Sequence, residues 1–346
     1  MKEKVRNVPL LDCIDKVFEA DIKEDFLTHY VKKHGGNVKW LIASDYQFDP
    51  QFHNVIITYS CFSYNKEFSS KLSDIRSTDQ REIKKVRKIR RKYLVHLQKE
   101  NVFSVSFILP KNKYIFWENQ KDAKVIILDT LLSIESQIKD WEERKTGDPE
   151  YYESLKRKIK IIKNDLNGNK KIKEGIRAVV TSLLSAYICA KIALIFQCEV
   201  VGWFSDRDSV NDVYENISKD LSHINFNALV EPLETKFVVA GATSGSGNWY
   251  EELVLLPDLI TGALSNFDSE KNESKTKKHH EIMRHLLVKK KYNAYVIRVS
   301  LKNASYTANR VVYNIHGISN LTLFFFEDKL NLIIEVYFRL RKFFNL

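Results

Sequence analysis

Three aspartates each follow a run of apolar residues, and the three runs are far apart in the chain. The runs cover residues 39–44, 199–205 and 253–257, and the aspartates that follow them are Asp45, Asp206 and Asp258. Strand ends are positions where a fold can bring acids together from distant parts of a sequence. Converging carboxylates repel one another unless a cation lies between them, so the pattern predicts a divalent-metal site.

The chemistry that such a site performs best is hydrolysis of phosphodiester bonds. Two hard cations about 3.5–4 Å apart activate a water and stabilise the leaving oxygen, and carboxylates are their natural ligands. The pattern therefore predicts a nuclease that holds Mg²⁺ or Mn²⁺ through Asp45, Asp206 and Asp258. No histidine lies near these motifs, so we expect the metal to activate the water. Each aspartate could instead cap a helix or form an Asx turn.

Positive charge is the second signal. The chain carries a net charge of +11, and its sequence pI is about 9.2. Eight of the twelve residues from 81 to 92 are basic, namely Arg81, Lys84, Lys85, Arg87, Lys88, Arg90, Arg91 and Lys92. On a predicted helix over residues 73–99, they would neutralise phosphates and bind RNA or DNA without reading sequence. A solvated outer face is the alternative. No RNA-recognition aromatic motif is present, so base readout is not predicted.

The hydrophobic periodicity divides the chain into alternating strands and helices. Helices are predicted at 9–34, 73–99, 122–142, 149–166, 172–197, 210–221, 250–266 and 328–344. Strands are predicted at 38–44, 53–62, 102–109, 198–205, 236–240, 293–300 and 309–315, and residues 268–280 read as an exposed linker. The predicted organisation is an N-terminal helix (1–37), a core (38–266) with a helical insertion at about 110–197, and a linker with a C-terminal α+β extension (267–346).

Residues 254–264, Val-Leu-Leu-Pro-Asp-Leu-Ile-Thr-Gly-Ala-Leu, resemble a motif of an uncharacterised, mostly bacterial family with a ribonuclease-H-like fold (the domain-of-unknown-function 3800 type). The family also has an early strand that ends in Asp, which Asp45 fits although Tyr46-Gln47 replaces the usual following pair. A second family strand ends in Asp-Arg, as Asp206-Arg207 does here. The resemblance covers roughly 38–110 and 198–266.

The resemblance implies an α/β fold with a ribonuclease-H-like mixed sheet flanked by helices. It also implies metal-dependent cleavage, in a bacterial defence or mobile-element setting. The family has a further acid after its second strand. Here Glu67 or Asp74 could supply that acid, although neither aligns cleanly with the motif. If neither does, the site holds one metal or only binds nucleic acid.

Composition agrees with a folded intracellular protein. The chain is 44% hydrophobic, and its four cysteines form no Cys-x-x-Cys pair, which argues against a zinc ribbon. No uncharged apolar stretch reaches 18 residues and the start lacks a signal peptide, so a cytoplasmic location without a membrane partner is expected.

Two other functions stay open from the sequence. One is a catalytically inactive module that binds nucleic acid or a protein partner on a nuclease-like scaffold. The other is a structural subunit whose hydrophobic tail, residues 321–344, docks on a protein partner or on a second copy of the chain.

Overall fold

A mixed β-sheet organises the protein. The computed structural model describes residues 9–26, 39–49, 51–94, 102–117, 119–206, 209–242, 249–288, 294–302 and 305–313. Its strands are β1 (Lys39–Gln47), β2 (Val55–Ser63), β3 (Phe103–Leu109), β4 (Val200–Asp206), β5 (Lys236–Ala242), β6 (Phe267–Asp268), β7 (Glu273–Ser274), β8 (Ala294–Lys302) and β9 (Ser305–Val311). Within these described ranges, seven strands form one sheet in the order β5-β4-β1-β2-β3-β8-β9, and β6 and β7 form a separate small hairpin.

The sheet combines antiparallel and parallel pairs. Strands β1, β2 and β3 pair antiparallel in succession, whereas β4 lies parallel to β1 and β5 parallel to β4. At the other edge β8 lies parallel to β3 and pairs antiparallel with β9. The prediction of an α/β protein with a mixed sheet flanked by helices is confirmed. The strands that the sequence placed in a C-terminal extension instead continue the main sheet.

The centre of the sheet is buried on both faces. All nine residues of β2 are buried, and most are β-branched, aromatic or small, as suits a strand covered on both sides. Three of its hydroxyls have partners: the Tyr59 hydroxyl lies 3.0 Å from Ser185 Oγ, and the hydroxyls of Thr58 and Ser60 each lie 2.9 Å from a serine Oγ of β3. The buried hydroxyls therefore cost little free energy.

Helices cover both faces of the sheet. They are α1 (Pro9–Val17), α2 (Lys23–Phe26), α3 (Phe68–Ser77), α4 (Gln120–Glu143), α5 (Pro149–Asn167), α6 (Ile172–Phe196), α7 (Ser209–Asp212), α8 (Ile217–Val230), α9 (Glu251–Ser265) and α10 (Lys277–Ile282). One hydrophobic cluster joins one face to α1, α4, α5, α6 and α8. A second cluster joins the other face to α3, α9 and α10.

The helical block of α4, α5 and α6 agrees closely with its prediction. Side chains cap two of these helices, since Asn119 accepts from the backbone N–H of Asp122 and Asp148 accepts from that of Glu150. Among the described helices, only α6 is long and apolar enough to span a membrane, and 83% of its most hydrophobic window is buried inside the protein. It packs as the central helix of the larger cluster.

The prediction of one continuous helix over residues 210–221 is wrong. The chain forms α7, breaks, and then forms α8, which continues to Val230. Tyr214, Glu215 and Asn216 at the break have φ angles of 50°, 58° and 65°. A right-handed helix cannot pass through three successive left-handed residues, and the hydrophobic pattern does not reveal them.

The predicted linker over residues 268–280 is also wrong. It contains the β6–β7 hairpin and α10. The Asp268 side chain accepts from the backbone N–H groups of Glu270 and Lys271, at 3.0 and 3.1 Å. His279 is 7% exposed and lies 3.0 Å from the Thr276 hydroxyl. Local turn bonds and one buried ring order a segment whose composition is typical of disorder. The predicted terminal helix at 328–344 lies outside the described residues.

Candidate acidic site and basic segment

Asp45 and Asp206 lie on neighbouring parallel strands. Ser44 of β1 is in register with Ser205 of β4, so the next residues along the two strands are Asp45 and Asp206. Parallel strands are about 4.8 Å apart, which places the two backbones side by side. Asp45 lies inside β1 opposite Thr58, and not after the strand end as the sequence predicted. The side chain of Asp206 lies outside the described part of the structure.

Alternation along β1 directs Asp45 towards α9. Leu41 and Ala43 belong to the hydrophobic cluster that contains α9, and Asp45 is next in the same alternation. Phe204, two residues before Asp206, belongs to the same cluster. Asp45 is half-buried. The face of the sheet that carries Asp45 is therefore the face on which α9 packs.

Helix α9 brings Asp258 to this face. Its buried apolar residues pack on β1 and β2, and the Thr261 hydroxyl donates to the backbone oxygen of Asp45 at 3.4 Å. Asp258 lies three residues before Thr261 on the same helix, which is just under one turn. The sequence thus correctly placed Asp45 and Asp258 on elements that pack together.

The carboxylate of Asp258 also binds a distant backbone group. Its Oδ2 accepts from the N–H of Ile83 at 2.6 Å, which joins positions 175 residues apart. Ile83 is buried on α9 beside Gly262, where a Cβ would come within 2.7 Å of the Ile83 side chain. Glycine at position 262 therefore permits the close approach of Ile83, and Asp258 fixes the backbone there.

Tyr93 lies in the same region and is fully buried. Burial raises the pKa of its phenol, and the negative charge of Asp258 raises this pKa further. Its hydroxyl has no hydrogen-bond partner among the described residues. A buried hydroxyl without a partner costs free energy, so this part of the second cluster is not optimised for stability alone.

The basic segment, residues 81–92, does not form a continuous helix. Helix α3 ends at Ser77, a short 3₁₀ turn covers Ile83–Lys85, and helical structure resumes only at residue 91. Like charges three and four residues apart repel on a helix, and this segment contains several such pairs. Tertiary bonds stabilise the irregular path: Lys278 Nζ donates to the carbonyls of Ile83 and Val86, at 2.6 and 2.8 Å. The prediction of a long helix over 73–99 is therefore wrong.

The charges of the basic segment point to solvent. All eight predicted basic residues are exposed, while Ile83 and Ile89 are buried beneath them. Lys84 and Lys85 lie 3.0 and 2.6 Å from the Glu82 carboxylate, and Arg90 lies 3.4 Å from that of Asp79. The other five form no ion pair with any described residue; they are Arg81, Arg87, Lys88, Arg91 and Lys92.

The pKa of Glu82 reflects its position within the basic segment. Burial acts to raise this pKa, but hydrogen bonds from Lys85 and Lys84 outweigh burial and hold the pKa below its usual value. Glu82 is therefore ionised at neutral pH and neutralises part of the charge of these two lysines. The free positive charge of the segment lies mainly on the five basic residues that form no ion pair with a described residue.

The structure does not bring Glu67 to Asp45. Thr58 is the β2 residue opposite Asp45, and β2 continues five residues further before Glu67 is reached beyond its end. Five strand residues span about 17 Å. Glu67 is exposed, and its carboxylate lies 3.9 Å from Lys71 Nζ.

Asp74 lies on the exposed side of α3. Its backbone carbonyl accepts from the Ser77 hydroxyl at 2.7 Å, which is a bond within the helix end. The prediction that Glu67 or Asp74 supplies a fourth acid gains no support from these positions.

The donor chemistry suits a hard cation at this site. Asp45 and Asp258 offer carboxylate oxygens, which Mg²⁺ and Mn²⁺ prefer, and both residues are half-buried on packed elements. Among the described side chains, no group of three or more His, Cys, Asp or Glu is arranged to hold a metal ion. That set of side chains does not include Asp206, so the predicted three-aspartate site stays a prediction.

Sequence reasoning missed the residues that connect the acids to the basic segment. Ile83, Gly262 and Lys278 meet only in the folded chain, and Lys278 falls in the segment that was predicted to be a linker.

A comparison with protein-family models, with curated proteins and with solved structures finds no match for this chain.

Proposed function

We propose that this chain is a divalent-metal-dependent nuclease with a ribonuclease-H-like core, which hydrolyses phosphodiester bonds of RNA or DNA. Three antiparallel strands, extended beside β1 by the parallel strands β4 and β5, form the arrangement expected of such a core. The observation that carries the proposal is the register of Asp45 beside Asp206, with α9 and Asp258 packed on the same face. This pairing supports the proposal because it places the backbones of Asp45 and Asp206 on adjacent strands.

The proposed metal ligands are Asp45, Asp206 and Asp258. Mg²⁺ or Mn²⁺ bound there would supply a Lewis acid and an activated water. Rigid elements would hold these ligands in place, because Asp45 and Asp206 lie on adjacent central strands and Asp258 lies on a helix that packs on the sheet. Tyr93 and the apolar residues of α9 belong to one buried hydrophobic cluster next to these acids.

The basic segment would hold the substrate backbone. Its five cations without a described ion pair are available to phosphates, and the Asp258–Ile83 bond attaches the segment directly to α9. Phosphate contacts of this kind give affinity that falls steeply with salt concentration and does not depend on base sequence.

The decisive experiment is cleavage of labelled RNA and DNA by the wild-type chain and by Asp45→Asn and Asp258→Asn variants. We expect wild-type cleavage with Mg²⁺ or Mn²⁺, none after chelation, and a loss of at least a hundredfold in each variant. The side-chain amide introduced by Asp258→Asn would still offer an oxygen to the Ile83 N–H, so the fold and substrate binding should survive. Asp129→Asn is the matched control, because Asp129 is an exposed acid on α4, across the sheet. Wild-type activity in Asp258→Asn would contradict the proposal.

A catalytically inactive nucleic-acid-binding module is the second candidate. The bond between Asp258 and Ile83 favours it, because one carboxylate oxygen already has a structural role. This candidate predicts tight, salt-sensitive binding in the wild type with no cleavage products in any divalent metal. It also predicts that Asp258→Asn binds as the wild type does.

A further inference from the structure

Two large aromatic side chains are exposed near the first turn of α9: Trp249, which precedes this helix, and Tyr64, which follows β2. Trp249 is 45% exposed and Tyr64, just after β2, is 43% exposed. Both rest on buried Phe68: its ring centroid lies 4.9 Å from that of Tyr64 and 6.2 Å from that of Trp249. Phe204 supports Trp249 from β4, with ring centroids 5.5 Å apart. We call Tyr64 and Trp249 the aromatic pair.

The exposure of Trp249 is unusual within this chain. The chain has five tryptophans, and the structure describes all of them. The other four, Trp40, Trp117, Trp141 and Trp203, are between 0% and 7% exposed. Trp249 is nevertheless fixed at its base, since its carbonyl accepts from Arg76 at 3.5 Å and Arg76 also pairs with Glu252. The ring is therefore both presented to solvent and held in place.

The aromatic pair lies on the same face as the acids. Trp249 precedes Asp258 by nine residues, a rise of about 13 Å along a helix. Its support Phe204 is in register with Ala43, two residues before Asp45, which is about 7 Å along the strand. The basic segment meets α9 at Asp258 and Gly262. Tyr64 lies further from the acids, because its N–H donates to the carbonyl of Lys39, which is six residues before Asp45 or about 20 Å along β1. A single strand that extends from the acids along α9 over several nucleotides would reach both rings.

We infer that the aromatic pair is a base-stacking surface and that the nucleic acid taken by this chain is single-stranded. The inference rests on the proposed function, whose substrate class it names. In a duplex the faces of the bases are covered by neighbouring bases, whereas a single strand can stack its bases on exposed aromatic rings. Stacking does not depend on base identity, which agrees with the lack of a base-readout motif in the sequence.

The test compares three oligonucleotides of equal length: a single strand, the corresponding duplex, and a single strand whose central nucleotides are abasic. Binding to the full chain is measured by fluorescence anisotropy in Ca²⁺, which prevents turnover by many Mg²⁺-dependent nucleases. Tryptophan emission is recorded for the wild type and for a Trp249→Leu variant, so that the contribution of Trp249 is their difference. We expect the intact single strand to bind at least tenfold more tightly than the other two and to quench the emission. The Tyr64→Leu/Trp249→Leu double variant should lose about tenfold or more of its single-strand affinity.

Two control variants distinguish a failure of this inference from a failure of the proposed function. Leu132→Ala removes a 50%-exposed apolar side chain on α4 and should bind as the wild type does. Arg87→Gln/Lys88→Gln should weaken single-strand and duplex binding alike. Equal affinity for intact and abasic strands, or unchanged affinity in the folded double variant, would overturn the inference while cleavage and the basic-segment effect still stood. A wild-type chain that binds no nucleic acid would overturn the proposed function as well.

Discussion

At the scale of single residues, Asp258 combines two roles that are usually separate. Its carboxylate is one of the proposed metal ligands, and it also accepts a 2.6 Å hydrogen bond that fixes Ile83. Helix-interior aspartate has a poor helix propensity, so its presence amid apolar residues needs such a compensation. The neighbouring Tyr93 hydroxyl, in contrast, has no described partner. Asp258 is thus bonded to the backbone, whereas the nearby Tyr93 hydroxyl lacks a partner among the described residues.

The first stability prediction concerns Tyr93. Replacing Tyr93 with Phe removes a buried hydroxyl that has no described partner, so we expect the free energy of unfolding to stay equal or to rise by up to about 1 kcal/mol. Urea unfolding of the metal-free protein measures the change. Tyr59→Phe is the matched control and should be destabilising, because the Tyr59 hydroxyl is bonded to Ser185. A loss above about 1 kcal/mol in Tyr93→Phe would show that its hydroxyl has a partner after all.

At the scale of elements, α10 holds the basic segment in place. Lys278 on α10 donates to two carbonyls of the segment, and His279, the next residue, is buried behind it. Burial lowers the pKa of His279 to about 4, and the charges of Lys278 and Lys275 act in the same direction. The imidazole is therefore neutral in the folded protein at neutral pH. Anything that protonates it should loosen α10 and with it the basic segment.

The pH prediction follows from this lowered pKa. Between pH 6.5 and about 4 the unfolded chain binds a proton at His279 that the folded chain does not, so stability falls as the pH falls through this window. Allowing for solvent screening, we expect a loss on the order of 2 kcal/mol beyond that of His279→Gln, whose side chain does not titrate. Urea unfolding at several pH values measures both proteins. Parallel pH profiles for the two would contradict the prediction.

At the scale of the whole molecule, the sheet separates two regions with different roles. The face that packs on α9 carries the acids, the basic segment and the aromatic pair. The opposite face carries the helical block, which α6 anchors through the larger hydrophobic cluster. A partly buried cluster of polar side chains joins α5 of this block to α8: Lys158 Nζ lies 2.7 Å from Asp220 Oδ2, and the Tyr151 hydroxyl donates to Asp220 Oδ1 at 3.3 Å.

We therefore expect Asp220→Ala to reduce stability without changing the chemistry. The change leaves Lys158 and Tyr151 without this acceptor in a largely buried place, at a cost of about 2–3 kcal/mol. Urea unfolding should show this loss, while cleavage per folded molecule and nucleic-acid affinity should equal those of the wild type. Glu150→Ala, at an exposed position on α5, should affect neither. A selective loss of cleavage in folded Asp220→Ala would show that the helical block contributes to the site.

Local sequence patterns were sufficient to predict the helical block of this protein. Helices α4, α5 and α6 lie within two residues of their predicted bounds, because their apolar periodicity and their capping residues are local properties. The exposure of all eight cations in the basic segment also follows from composition, since unpaired charges are costly to bury. The sequence also predicted that Asp258 lies on a helix packed against the sheet that carries Asp45.

Long-range contacts, which the sequence did not reveal, set how these parts are joined. The non-helical path of the basic segment depends on bonds from Asp258 and Lys278, which are 175 and 195 residues from Ile83. Similarly, β8 joins the main sheet beside β3 through pairing that leaves no local pattern. Contacts of this kind are set by the balance of burial and pairing over the whole fold, so they override local propensity where the two conflict.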